Sequence, residues 1–168
     1  MELYTVRTDT VAQLPQALLR AHLPLRCARA EGFRREEDRL RCLGAGLLLR
    51  AVLGAKEAAL RYGEYGKPYL PGGPAFSLSH GGSFAVLAVD GDPVGVDLEP
   101  LDAARLRIAS SLLTQEELDW MREGIETERF FALWTLKESA VKATGRGISG
   151  APRSIPVLPV ELGRAHIR

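Results

Sequence analysis

Two hydrophobic periods succeed one another along this chain, and their order constrains the fold more than any single residue does. A short strand, Leu3 to Val6, and a helix, Val11 to Ala21, lead into a longer helical stretch from Leu25 to Leu53, broken near Gly32. Within it Phe33, Leu40, Leu43, Leu47 and Leu48 recur at helical spacing, and Gly54 ends it. The Gly/Pro-rich stretch Tyr62 to Pro74 reads as turns and loop. Ala75 to Leu78, Phe84 to Val89 and Val94 to Leu98 then read as strands, the last two joined as a hairpin across Asp90-Gly91-Asp92-Pro93. Beyond Pro100 the period is helical again, over Ala103 to Leu112, Gln115 to Arg122 and Thr127 to Thr144. Thr114 and Glu117 have capping-box spacing, and Gly145 and Gly147 stop the last helix. Ser154 to Arg168 has room for two short strands. Helices, strands, helices and strands in blocks predict an α+β fold rather than alternating βαβ units.

A length of 168 residues suits one domain or two closely packed halves. The balance of 22 basic and 21 acidic residues argues against a strongly cationic nucleic-acid binder. No apolar run approaches the ~20 residues of a membrane span. The start Met1-Glu2-Leu3-Tyr4 lacks a basic, then apolar, leader, so the chain reads as cytoplasmic. Cys27 and Cys42 lack metal-ligand spacing and read as inert thiols.

Three clusters carry candidate chemistry. On a strand, Asp97 and Glu99 would share one face, roughly 7 Å apart, opposite Val96 and Leu98. Such a pair is either a solvated strand edge or a site for a hard cation such as Mg²⁺, which prefers oxygen ligands. In Trp134-Thr135-Leu136-Lys137-Glu138-Ser139-Ala140-Val141-Lys142, Glu138 and Lys142 are i,i+4 neighbours, a routine surface pair or an acid for metal beside an ammonium for phosphate. Ser79 and His80 run into Gly81-Gly82, where a strand would enter a glycine turn able to face an anion. A Ser-His hydrolase is disfavoured, because adjacent strand residues point to opposite faces and no GxSxG elbow exists.

Taken in order, Tyr65-Gly66-Lys67-Pro68, Phe76-Ser77-Leu78-Ser79-His80, Val94-Gly95-Val96-Asp97-Leu98-Glu99 and Trp134 to Gly147 resemble the 4'-phosphopantetheinyl transferase family, in its longer single-chain, surfactin-synthetase-activating type. Arg26 to Arg50 resembles it more loosely. The resemblance implies two related α+β halves, residues 1–93 on the coenzyme A nucleotide side and 94–168 carrying the metal carboxylates, with the active site between them. It implies an Mg²⁺ site (Mn²⁺ as an alternative) at Asp97, Glu99 and Glu138, with Lys142 on the pyrophosphate. Ser79 and His80 would hold coenzyme A phosphates, Tyr65, Gly66, Lys67 and Pro68 would border the adenine, and Arg41, or Arg39 if the alignment slips, would reach the 3'-phosphate. Glu138, or Glu117, would be the base.

The implied reaction moves 4'-phosphopantetheine from coenzyme A to a serine of an apo acyl or peptidyl carrier protein, releasing 3',5'-adenosine bisphosphate. Neither nucleic acid nor membrane is an expected partner, and the chain is expected to be a monomer or small oligomer. A non-catalytic coenzyme A-binding module and an Mg²⁺-dependent coenzyme A phosphohydrolase are the competing readings. Two departures stand out. Gly81 occupies a place where the family commonly has a hydroxyl residue, and only 21 residues follow Gly147, so the second half is expected to be shortened.

Overall fold

A computed structural model describes residues 1–145, 154–161 and 164–167. The first half is a three-stranded antiparallel sheet backed by helices. Strand β1 (Glu2–Arg7) and β4 (Ala75–Gly81) flank the central β5 (Phe84–Asp90), with Tyr4 opposite Leu87 and Ser79 opposite Val86. Between β1 and β4 the chain makes α1 (Thr8–Ala12), α2 (Gln16–His22), α3 (Pro24–Glu31) and α4 (Glu36–Leu53), then a 3₁₀ turn at Glu57–Ala59 and a small hairpin of β2 (Arg61–Tyr62) and β3 (Pro68–Tyr69). Helix α4 starts with Glu36, Glu37 and Asp38, whose charges oppose the positive end of the helix dipole. Its Leu48 and Leu49 pack with Phe76 and Leu87 of the sheet in one buried cluster.

The second half is mainly helical: a 3₁₀ segment at Ala103–Ile108, α5 (Ala109–Leu112), α6 (Gln115–Arg122) and the 19-residue α7 (Glu126–Thr144), followed by the two-stranded β6 (Val157–Glu161) and β7 (Arg164–Ile167). Leu113, Leu118, Phe130, Leu133 and Val157 form its core. Each such side chain contributes roughly 1.5–3 kcal/mol when fully buried. No helix among the described residues is long and apolar enough to cross a membrane.

The α+β class expected from the block order is the class observed, and the strands at 75–78 and 84–89, helix α6 with its capping box, and α7 lie where expected. Four expectations need correction. Val11 to Ala21 is two helices, because Pro15 lacks the N–H that a continuous helix would use. Tyr62 to Pro74 is not all loop, since Tyr62 pairs with Pro68. Ser79 and His80 lie inside β4, which runs on to Gly81, and not in the turn. The hairpin of Phe84 to Val89 with Val94 to Leu98 does not form: both edges of β5 are already taken, by β1 and β4. The stopping role of Gly147 falls outside the described residues.

Candidate active site

Val94 to Glu99, denied a place beside β5, lies instead along β4, where serine hydroxyls replace the ladder. Ser77 Oγ accepts the Val96 N–H at 3.1 Å and Ser79 Oγ accepts the Leu98 N–H at 3.2 Å. Strand alternation buries both serines and leaves His80 exposed between them and the turn. Two glycines permit the close approach. A Cβ on Gly95 would collide with the Ser139 carbonyl oxygen of α7, and a Cβ on Gly81 with the Leu98 carbonyl oxygen. The second contact explains why no side chain follows His80 here.

Clamped between β4 and α7, the segment delivers Asp97 to the helix. Lys142 Nζ donates to Asp97 Oδ1 at 2.6 Å and to Ser79 Oγ at 3.0 Å, and Ser79 Oγ in turn donates to Asp97 Oδ1 at 2.9 Å. Lys142 thus pairs across the cleft with Asp97 rather than along its own helix with Glu138. Asp97 Oδ2 and Glu138 Oε1 are buried with no hydrogen-bond partner. Burial raises the Glu138 pKa above the ordinary carboxylate value, the charges of Asp97 and Glu99 raise it further, and Lys142 opposes them. Glu99 is engaged elsewhere, accepting from Arg105 Nη1 at 3.1 Å and from Trp134 Nε1 at 3.4 Å.

Among the described residues, no three His, Cys, Asp or Glu side chains gather closely enough to hold a metal as they stand. The donor chemistry nevertheless suits a hard divalent cation. Two unsatisfied buried carboxylate oxygens face a desolvation loss that a cation can offset, and oxygen is the ligand Mg²⁺ and Mn²⁺ prefer. Glu99 could join them by exchanging its exposed Arg105 partner.

Two adjoining cavities share Gly66, Pro68, Leu78, Glu138 and Lys142. One, about 270 Å³, is walled by Tyr65, Lys67, Ser77 and Val141; the other, about 420 Å³, by Arg26, Arg29, His80, Asp97 and Glu99. Partial desolvation where His80 meets the cavity lowers its pKa, and the charges of Arg41 and Lys142 act in the same direction.

Four expected residues sit differently. Arg41 lines neither cavity; its donors go to Gly82 O, Asp38 and Glu37 at 2.8, 2.7 and 3.0 Å. Arg39 donates to Phe33 O. Lys67 turns its ammonium into the protein, to Val94 O and Ala143 O at 3.0 Å each, and its burial lowers its pKa. Glu117, the alternative base, lines neither cavity and is fully used: it pairs with Lys137 at 2.8 Å and accepts the N–H groups of Val157 and Thr114. Sequence reasoning missed Arg26 and Arg29 as cavity residues. Their i,i+3 spacing in α3 was the available signal.

The α+β scaffold thus sets Asp97, Glu138 and Lys142 in a cleft beside a hollow that Arg26, Arg29 and His80 also line. Residues 93–168 match the family described as the 4'-phosphopantetheinyl transferase superfamily. A 4'-phosphopantetheinyl transferase of Bacillus subtilis is 35% identical over 128 residues, covering 70% of this chain and 57% of the relative. The 4'-phosphopantetheinyl transferase ffp of Bacillus subtilis is 34% identical over 146 residues (80% and 65%), and psf-1 of Bacillus pumilus is 34% identical over 152 (84% and 65%). This chain belongs to the 4'-phosphopantetheinyl transferase superfamily. It spans 57–65% of the length of these relatives.

Proposed function

We propose that the chain catalyses Mg²⁺-dependent transfer of 4'-phosphopantetheine from coenzyme A to a serine of an apo acyl or peptidyl carrier protein. The observation that carries this reading is the cluster of Asp97, Glu138 and Lys142, which lies where the two cavities meet and leaves two carboxylate oxygens without partners. Residues 1–93 supply the nucleotide side and residues 94–168 the reacting side, and the family match begins at this boundary.

The hydroxyl oxygen of the carrier serine attacks the β-phosphorus of coenzyme A and forms the new P–O bond. The bond from that phosphorus to the oxygen bridging the α-phosphate breaks, and 3',5'-adenosine bisphosphate leaves with the electron pair. Glu138, which lines both cavities where they meet, takes the serine proton. Lys142 neutralises charge on the pyrophosphate, and Arg26, Arg29 and His80 line the wall that would receive the remaining phosphates. Tyr65, Gly66 and Pro68 belong to the more apolar of the two cavities, which suits adenine. Asp97, Glu138 and, after exchange, Glu99 would hold Mg²⁺, which supplies Lewis-acid stabilisation of developing phosphate charge. Both substrates are taken to be cytoplasmic.

Intact-mass measurement of apo-carriers incubated with the protein, coenzyme A and Mg²⁺ tests the reading. The expected outcome is one added phosphopantetheine that EDTA abolishes. Coenzyme A cleaved without carrier modification would favour the phosphohydrolase, and binding without either product would leave a coenzyme A-binding module.

A further inference from the structure

The arginine-lined wall contains one residue whose surroundings differ from those of its neighbours. Arg26 is gripped by a single carboxylate from outside its helix: Glu57 Oε2 accepts the Arg26 backbone N–H and Glu57 Oε1 accepts Arg26 Nε, both at 2.8 Å. The side chains are only 13% and 8% exposed. Nη1 and Nη2 have no hydrogen-bond partner among the described residues, and Arg26 lines the larger cavity with His80 and Lys142. On another side of the stem lies Gly46 of α4, where a Cβ would come within 2.8 Å of Arg26 Cγ and 3.4 Å of Leu23 Cδ1. Arg29, one turn along α3, is exposed and has no carboxylate partner among the described residues. Arg41 is the opposite extreme, with its guanidinium spent on Glu37, Asp38 and Gly82.

We propose that Glu57 is a positioning residue that locks the guanidinium of Arg26 in place, so that its two terminal nitrogens stand ready for a phosphate of the nucleotide substrate. The inference rests on the coenzyme A reading of this cleft. A guanidinium held along one edge offers its other edge as paired, coplanar N–H donors, the geometry that phosphate oxygens take bidentately. Glu57 thereby fixes in the free protein an orientation that would otherwise be lost among rotamers and restored only at a cost on binding. Gly46 keeps the stem's channel open. The expected effect has an unusual sign. If charge alone governed the site, removing an acidic residue beside the cavity would tighten anion binding. If orientation governs it, the same removal weakens binding.

The test is calorimetric binding of 3',5'-adenosine bisphosphate in EDTA, with steady-state transfer kinetics for coenzyme A and dephospho-coenzyme A. Glu57→Ala should weaken bisphosphate binding and raise KM for coenzyme A by about tenfold while kcat changes less than about twofold. Glu57→Gln, which keeps one acceptor oxygen, should fall between. Arg26→Gln should lose as much as Glu57→Ala, and the double variant no more than either. If only coenzyme A is affected, the phosphate held is the 3'-phosphate; if dephospho-coenzyme A suffers equally, it is the pyrophosphate. Should Glu57→Ala fail to fold, Glu57→Gln reads the same point, since it keeps the shape but weakens the grip on Arg26. Unchanged or tighter binding in a folded Glu57→Ala variant, or in Glu57→Gln where the alanine variant does not fold, would overturn the role of Glu57 while leaving the coenzyme A reading intact. A wild-type protein that fails to bind the bisphosphate would overturn both.

Discussion

Helix α7 carries two lysines five residues apart, each paired with an acid from outside the helix, and the two pairs have opposite character. Lys137 and Glu117 are 0% and 1% exposed, and the pair is complete: Lys137 Nζ also donates to Ile155 O, while Glu117 accepts the N–H of Val157 and closes the capping box of α6. Lys142 and Asp97 meet at the cleft, 30% and 6% exposed, with Asp97 Oδ2 and neighbouring Glu138 Oε1 left unsatisfied. The first pair ties α6, α7 and the strand that begins at Val157 into one unit. The second leaves polar capacity unspent where a ligand can reach it. Buried groups that are fully partnered hold a fold together; buried groups that are not point to a ligand.

The largest effect that would break this contrast is expected at the closed pair. Glu117→Ala strands a buried ammonium and should cost about 3–5 kcal/mol, read as a fall in denaturant midpoint. Replacing both partners, as Glu117→Gln with Lys137→Met, should recover most of that loss. At the open pair the order reverses. Asp97→Asn should lower kcat/KM for carrier modification on the order of 10²–10³-fold, because an element of electrostatic stabilisation is gone. Its melting temperature in EDTA should change little, because the weakened ion pair with Lys142, itself 30% exposed, is offset by relief of the repulsion between Asp97 and Glu138. Activity at the parental level, or a loss that unfolding explains, would return Asp97 to the structural class.

The smallest effect sharpens the comparison through pH. The pKa of Glu138 is raised in the folded state, so the folded protein holds that proton more tightly than the unfolded chain does. The resulting stability is present below the unfolded carboxylate value and is lost as pH rises through the raised one. Melts in EDTA from pH 4 to pH 8 should therefore show Glu138→Gln gaining on the parent as pH rises. Parallel curves would mean that the carboxylate is not desolvated.

The legible parts of the fold were those written locally. The Thr114–Glu117 capping box and the helical period that ends at Gly145 gave α6 and α7 nearly residue for residue. What failed needed neighbours. Val94 to Leu98 looks like a strand by composition, yet nothing local reveals that β1 returns from the chain's start to take the free edge of β5. The same divide runs through the site. Asp97, Glu138 and Lys142 stood out by residue type and spacing, and the structure brings them together. Likeness sets Arg41 near a phosphate, and in the free protein Glu37 and Asp38, one turn before it on α4, hold its guanidinium. Arg26 and Glu57 are 31 positions apart, and no pattern in the sequence pairs them.

Equilibrium binding of Mn²⁺, followed by its electron paramagnetic resonance signal with 3',5'-adenosine bisphosphate present, measures the contrast directly. The account predicts one saturable cation in the parent. That cation should be retained in the Glu117→Gln, Lys137→Met double variant and lost in Asp97→Asn. A parent that binds no cation, or an Asp97→Asn variant that binds as the parent does, would contradict it.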